Sequence, residues 1–197
     1  MEHTRTEVDH EKLKQAQKLL AEAFGEDSEE ALLRSPERFA RWQEAALVAP
    51  REAYEQEDLR LFPVREDSHV GLVTIKASAF SACEHHYAPA LLKATIGYVP
   101  NKSFIGYSKI VKMFRHFACR YTMDERLCNE FLAEFRRTVE PLGVGIVLRG
   151  KHFCVISRGG PESDFATITA LWGELKTDPQ LRSEFYQHAF ASWQDGV

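Results

Sequence analysis

The sequence predicts an α+β protein, a small antiparallel sheet of four strands backed by two helices and preceded by a helical arm. Three observations lead there. Val73, Ile75 and Ala77 alternate with Thr74 and Lys76, and Leu92, Ala94, Ile96 and Tyr98 repeat at every second position, the period of a strand. Ile110, Val111, Phe114, Phe117 and Ala118, then Leu127, Phe131, Leu132 and Phe135, follow at helical spacing. Apolar residues make up 44% of the 197-residue chain, enough for a real core in one domain of ordinary size.

Taken in order, residues 7–24 place Leu13, Ala16, Leu19, Leu20 and Phe24 on one face of an amphipathic helix ended near Gly25. An outlying arm of this kind needs a surface to cover, and a neighbouring subunit would supply one. Ser35-Pro36-Glu37-Arg38 reads as a helix start, with Ser35 as N-cap, proline in the first turn and a glutamate near the positive end of the dipole. That helix continues through Phe39, Trp42 and Ala46, with Arg38 and Arg41 on one face; spacing alone favours a solvated face for them. Residues 50–69 are charged and aperiodic, a loop or linker. A strand from His69 to Ala82 runs into Cys83, a second spans Leu91–Val99, and Pro100-Asn101-Lys102 turns the chain.

Ser108 is expected to cap the helix opened by Gly106-Tyr107-Ser108-Lys109. Lys109 and Lys112 stand at its N-terminal end, where basic residues are unfavourable unless an anion such as phosphate is received there. The next helix covers about Asp124–Val139 and ends at Pro141-Leu142-Gly143. Strands are expected at Val144–Leu148 and His152–Ser157, joined as a hairpin by Arg149-Gly150-Lys151, until Arg158-Gly159-Gly160-Pro161 breaks the ladder. Residues 162–173 give no clear signal. A last helix, about Gln180–Trp193, carries Leu181, Phe185, Phe190 and Trp193. The resulting division is an N-terminal helical region, residues 1–66, and a sheet-containing domain, residues 67–197, that carries the chemistry. Four strands leave edges to protect, and closing several such units into a barrel between subunits would remove them.

Net charge is −4, with no basic tail or stripe, which argues against a general nucleic-acid binder. No apolar run approaches the ~20 residues of a membrane span, and residues 1–20 do not read as a signal peptide. Four irregularly spaced cysteines do not form a disulfide framework, so a reducing cytoplasm is expected, with Cys119 and Cys128 as plain buried thiols.

The chemistry gathers at Cys83-Glu84-His85-His86 and His152-Phe153-Cys154. C-x-x-H spacing brings a thiolate and an imidazole to one metal within a tight turn. If His152 and Cys154 lie in a strand, they project together. Cys83, His86 and Cys154 would then give zinc two sulfurs and one nitrogen, leaving its fourth position open to water as in a catalytic site. His85 and His152 would stand beside the metal, placed to move protons.

Several motifs occur in the order and spacing of one family. They are Cys83-Glu84-His85-His86, Gly97-Tyr98-Val99-Pro100-Asn101, Gly106-Tyr107-Ser108-Lys109, Glu125-Arg126-Leu127, Gly143-Val144-Gly145 and His152-Phe153-Cys154 with Arg158-Gly159. Over roughly residues 28–190 the chain resembles GTP cyclohydrolase I. The resemblance implies the tunnelling fold, closed into β-barrels by oligomerisation as two face-to-face pentamers. It also implies conversion of GTP and water to formate and 7,8-dihydroneopterin triphosphate, the first step towards folate and other pterins. Cys83, His86 and Cys154 correspond to the zinc ligands, zinc making water available near pH 7 for attack on C8 of the purine. His85 and His152 correspond to the proton-transfer histidines and Glu125 to the carboxylate that reads the guanine edge. Arg38, Arg41, Lys109, Lys112 and Arg158 fall at or near triphosphate positions, and Ser108 sits where the ribose or phosphate end is held.

The chain departs from the family pattern at Asp124 (commonly Gln), at Cys119-Arg120 (Arg-Arg), at Tyr107 (Leu), at Pro89-Ala90-Leu91-Leu92 (no glycine) and in Gly-Gly-Pro after Arg158. Asp124 stands beside the base-reading position. It therefore keeps open a divergent enzyme that stops at the ring-opened formamide or uses another purine nucleotide. A non-catalytic nucleotide-binding regulator is the reading from a different class, and it would not need an intact metal triad.

Overall fold

The computed structural model describes residues 8–50, 54, 59–68, 70–160 and 165–191. The expected element starts at Glu7 and His69, and the expected contributions of Pro161 and Trp193, lie outside them. The chain forms two compact units, residues 1–50 and 51–197.

In the first unit, α1 (His10–Ala23) starts at Asp9, whose carboxylate accepts from the backbone N–H of Lys12 at 3.0 Å. It ends at Phe24 and Gly25, the glycine taking a positive φ of 72°. Leu19, Leu20 and Phe24 are exposed. The second helix, α2 (Ser35–Gln43), differs from expectation at its start. A π-type turn, Glu30–Arg34, runs directly into it, and the N–H of Ser35 already donates to the carbonyl of Glu30. Ser35 is therefore an early helical residue and makes no side-chain cap.

The second unit is built on a five-stranded sheet in the order β5-β2-β3-β6-β7. Its strands are β2 (Val73–Cys83), β3 (Pro89–Val99), β5 (Tyr121–Thr122), β6 (Gly143–His152) and β7 (Ala166–Gly173). Contacts β2–β3, β3–β6 and β6–β7 are antiparallel, and the short β5 pairs parallel to the end of β2. A separate two-stranded ribbon joins β1 (Leu61–Pro63) to β4 (Ser103–Ile105).

One expectation is corrected here. Arg149-Gly150-Lys151 is not a hairpin but the continuous interior of β6, paired on one side with Leu91–Lys93. On its other side Arg149 and Gly150 face Thr167 and Ala166. The fourth long strand is β7, in the stretch the sequence left unclear. Residues 153–156 are helical, not extended. The Gly150 signal that suggests a turn has a different cause, described below.

Alternation along the strands sorts the two faces. Leu92, Ala94, Ile96 and Tyr98 of β3 and Val144, Ile146 and Leu148 of β6 point to one side. There they meet α3 (Tyr107–Ala118) and α4 (Asp124–Val139) through Ile110, Met113, Phe114, Leu127, Phe131 and Phe135. On the opposite face α6 (Glu174–Thr177) and α7 (Pro179–Ala191) cover Val99 and Val147 with Leu175, Phe185 and Ala189. Gly97 is open for the Phe185 ring, which a Cβ there would meet at 2.5 Å. Phe190, expected on the apolar stripe of α7, is exposed.

The α3–α4 side carries most of the buried apolar surface, so Phe131→Ala is expected to cost about 3–5 kcal/mol by emptying a fully buried site. A stability loss in urea, the midpoint shift multiplied by the m-value, of less than a third of that would place the main core elsewhere. Among the described residues no helix is long and apolar enough to cross a membrane.

Candidate metal centre and its surroundings

Strand β2 ends at Cys83, and the chain reverses at once into β3. The turn is pinned by Tyr87 N–H donating to the Cys83 carbonyl at 2.8 Å and Cys83 N–H donating to that of Ala88 at 2.9 Å. Tyr87 takes a left-handed φ of 55°, uncommon for a bulky residue, and its ring rests against Tyr121. The turn brings Cys83 and His86, though not Glu84, to one point. His85 and His86 are exposed, with Nδ1 atoms 3.8 and 3.7 Å from Cys83 Sγ. Glu84 accepts both guanidinium N–H groups of Arg126, at 2.6 and 3.0 Å, tying the turn to the first turn of α4.

Cys154 comes from β6's far end by a route the sequence did not reveal. His152 is the last residue of the strand, and Cys154 lies in a single helical turn, α5 (Phe153–Ile156). The two side chains therefore do not share a strand face. The turn swings the Cys154 thiol, buried, to the other two donors. Ligand atoms of Cys83, His86 and Cys154 all lie within 4.8 Å of one another. Two thiols and one imidazole suit a soft or borderline cation better than a hard one. Burial pushes the Cys154 thiol up, and the adjacent Cys83 thiol pushes it further. A cation at that point would remove this cost, because coordinating thiols ionise. The residues present fit a metal.

His152 is not one of the three clustered donors. Its Nε2 lies 2.8 Å from Oδ2 of Asp124, which is buried at the start of α4. The hydrogen bond that His152 donates to this carboxylate raises the His152 pKa, and burial opposes it without cancelling it. Glu125, the next residue, is exposed.

The remaining expected site residues are placed as follows. Gly106, not Ser108, occupies the N-cap of α3, so Ser108 is an exposed first-turn residue. Lys109 and Lys112 are half-buried on the first turns of the same helix. Arg158 is exposed, and its Nε donates to the Cys154 carbonyl at 2.7 Å, bracing the helical turn that carries this candidate ligand. Arg38 and Arg41 are exposed on α2, the first paired with Glu30 and the second with Glu37 at 2.9 Å. Cys119 and Cys128 are buried thiols, as expected, and burial pushes Cys128 up to about 12. Sequence reasoning missed the Glu84–Arg126 clamp and the Asp124–His152 pair. Both join residues over forty or about thirty positions apart, and only the unusual Asp124 hinted at the second.

A soft-donor triad at the rim of an α+β sheet, beside a histidine held by a buried carboxylate, defines the class of a metal-assisted enzyme. Comparison with known proteins makes this particular. The family described as GTP cyclohydrolase I matches residues 13–189. GTP cyclohydrolase 1 of Aquifex aeolicus is 36% identical over 181 residues, 90% of this chain and 95% of that one. The Hydrogenobaculum protein of the same name is 33% identical over 186 residues, covering 91% and 97%. Among solved structures, an archaeosine synthase QueF-like protein aligns with a TM-score of 0.46 at 17% identity, over 54% of this chain and 97% of that one. The chain belongs to the GTP cyclohydrolase I family.

Proposed function

We propose that the protein is a zinc-dependent GTP cyclohydrolase I that converts GTP and water to formate and 7,8-dihydroneopterin triphosphate. The observation that carries this reading is the convergence of Cys83, His86 and Cys154 within 4.8 Å. Zinc bound there supplies a Lewis acid that activates water near neutral pH. The protein's own groups do the rest. His152 and the exposed His85 move protons as the imidazole ring of the purine opens and formate leaves. Glu125 accepts hydrogen bonds from the guanine edge, and a base lacking those donors would leave the carboxylate unpaired. Arg38, Arg41, Lys109, Lys112 and Arg158 hold the triphosphate, and Ser108 the ribose or phosphate end. The lysines' position on the opening turns of α3 supports this, since cations there gain from a bound anion.

The catalytic part is residues 67–197, with residues 1–66 as a helical region. The working form is a homo-oligomer of two face-to-face pentamers, in the cytoplasm. Exposed Leu19, Leu20 and Phe24 on α1 support an assembly that covers them.

The test is incubation of the metal-assayed protein with GTP, following formate and the fluorescent oxidised pterin separately. Formate with pterin is expected. Formate without pterin, or an accumulating ring-opened formamide, would mean the reaction stops early. GTP bound and unchanged would turn the reading towards a nucleotide-binding regulator.

A further inference from the structure

We propose that Asp124 is a positioning residue for His152, holding the ring with Nε2 as hydrogen-bond donor and so leaving Nδ1 as the nitrogen that exchanges the catalytic proton. The inference rests on the cyclohydrolase reading for the reaction, but its geometry stands by itself. Asp124 Oδ2 and His152 Nε2 are 2.8 Å apart, and Asp124 is only 5% exposed. A carboxylate offers lone pairs alone, so the hydrogen between them sits on Nε2. The partner of one ring nitrogen decides the state of the other.

The strand beneath the pair is shaped for it. Gly150 and His152 are two apart on β6, on the face that Leu148 and Ile146 present to α4. A Cβ at position 150 would stand 2.5 Å from Asp124 Oδ2 and 2.8 Å from His152 Nε2. The pair therefore occupies the space that a side chain at 150 would take. Leu92, the cross-strand partner of Gly150 and itself 1% exposed, reaches within 3.1 Å of the same point. This is why a glycine interrupts β6 at that position: the interruption makes room rather than a turn.

The same geometry separates two neighbouring carboxylates. Asp124 is buried against His152, whereas Glu125 is exposed and available to a ligand.

Two readouts test this on the zinc-loaded full-length protein. In 15N-histidine NMR, at a pH where the ring is neutral, His152 is expected to show protonated Nε2 and bare Nδ1, with assignment by comparison with His152→Ala. Asp124→Ala is expected to give a mixture of tautomers, to keep its zinc, and to lose about 10- to 100-fold in kcat for formate release with KM for GTP little changed. Gly150→Ala, which retains Asp124 but closes its space, should reproduce both effects. Should the alanine variant at 124 not fold, Asp124→Asn keeps the volume while its amide can either donate or accept, so the tautomer is again released.

An unchanged ring-nitrogen pattern in these variants overturns the proposal. So does a kcat within about threefold of wild type, or a rise in KM at constant kcat, which would assign Asp124 to base binding. If wild type itself releases no formate, the cyclohydrolase reading fails, and the NMR comparison still decides whether Asp124 sets the His152 tautomer.

Discussion

Cys154→Ala is expected to strip zinc from the purified protein and to abolish formate and pterin together, by at least about 1,000-fold. Cys154 supplies one of only two sulfurs in the triad, from a helical turn braced by Arg158. Without it, Cys83 and His86 would remain as a two-donor fragment on an exposed turn, too few for a stable site. The fold should survive the loss. The large core is formed by the sheet with α3 and α4, and none of the three ligands belongs to it. Metal analysis, product assays and far-UV circular dichroism on one preparation separate these effects. Stoichiometric zinc with full formate release in the variant would remove Cys154 from the site. Chelation of wild type should copy the variant's loss of activity, with a lower melting temperature but retained secondary structure.

His152→Ala is expected to lower formate release by about 100- to 10,000-fold while the zinc stays bound. His152 precedes Cys154 by two residues, but its Nε2 bonds Asp124 and it is not one of the three clustered donors, so its loss is expected to remove a proton carrier and not a ligand. GTP binding should be retained, because the groups proposed for base and triphosphate lie on other elements. Single-turnover formate release and zinc content, measured side by side, decide it. Loss of zinc on substitution would make His152 a ligand, and an unaltered rate would make it a bystander.

Much of this was legible in the chain. The alternation at Val73–Ala77 and Leu92–Tyr98 and the helical spacing of Phe114, Phe131 and Phe135 specify elements through local periodicity, and the structure buries those residues accordingly. The C-x-x-H run and the distant Cys154 were readable as candidate metal donors, and the structure brings them within 4.8 Å, because few residue types bind soft cations and a pattern of chemistry survives in a one-dimensional string.

What could not be read is of a different kind. Gly150 carries the same letter whether it makes a turn or clears space for two side chains. In a strand its meaning depends on Asp124, twenty-six positions earlier, and on Leu92 across the ladder. The helical turn at Phe153–Ile156 could not be separated from a strand continuing β6, since a short apolar run has no period long enough to decide. Ser35 and Ser108 both looked like caps, yet a preceding π-type turn and Gly106 respectively took those positions, because a cap is defined by the backbone entering it. Local periodicity and residue chemistry thus determined the elements and the candidate metal donors. The Asp124–His152 pair and the path by which Cys154 reaches Cys83 were decided only when distant segments packed, because contact energies between them exist nowhere in either segment alone.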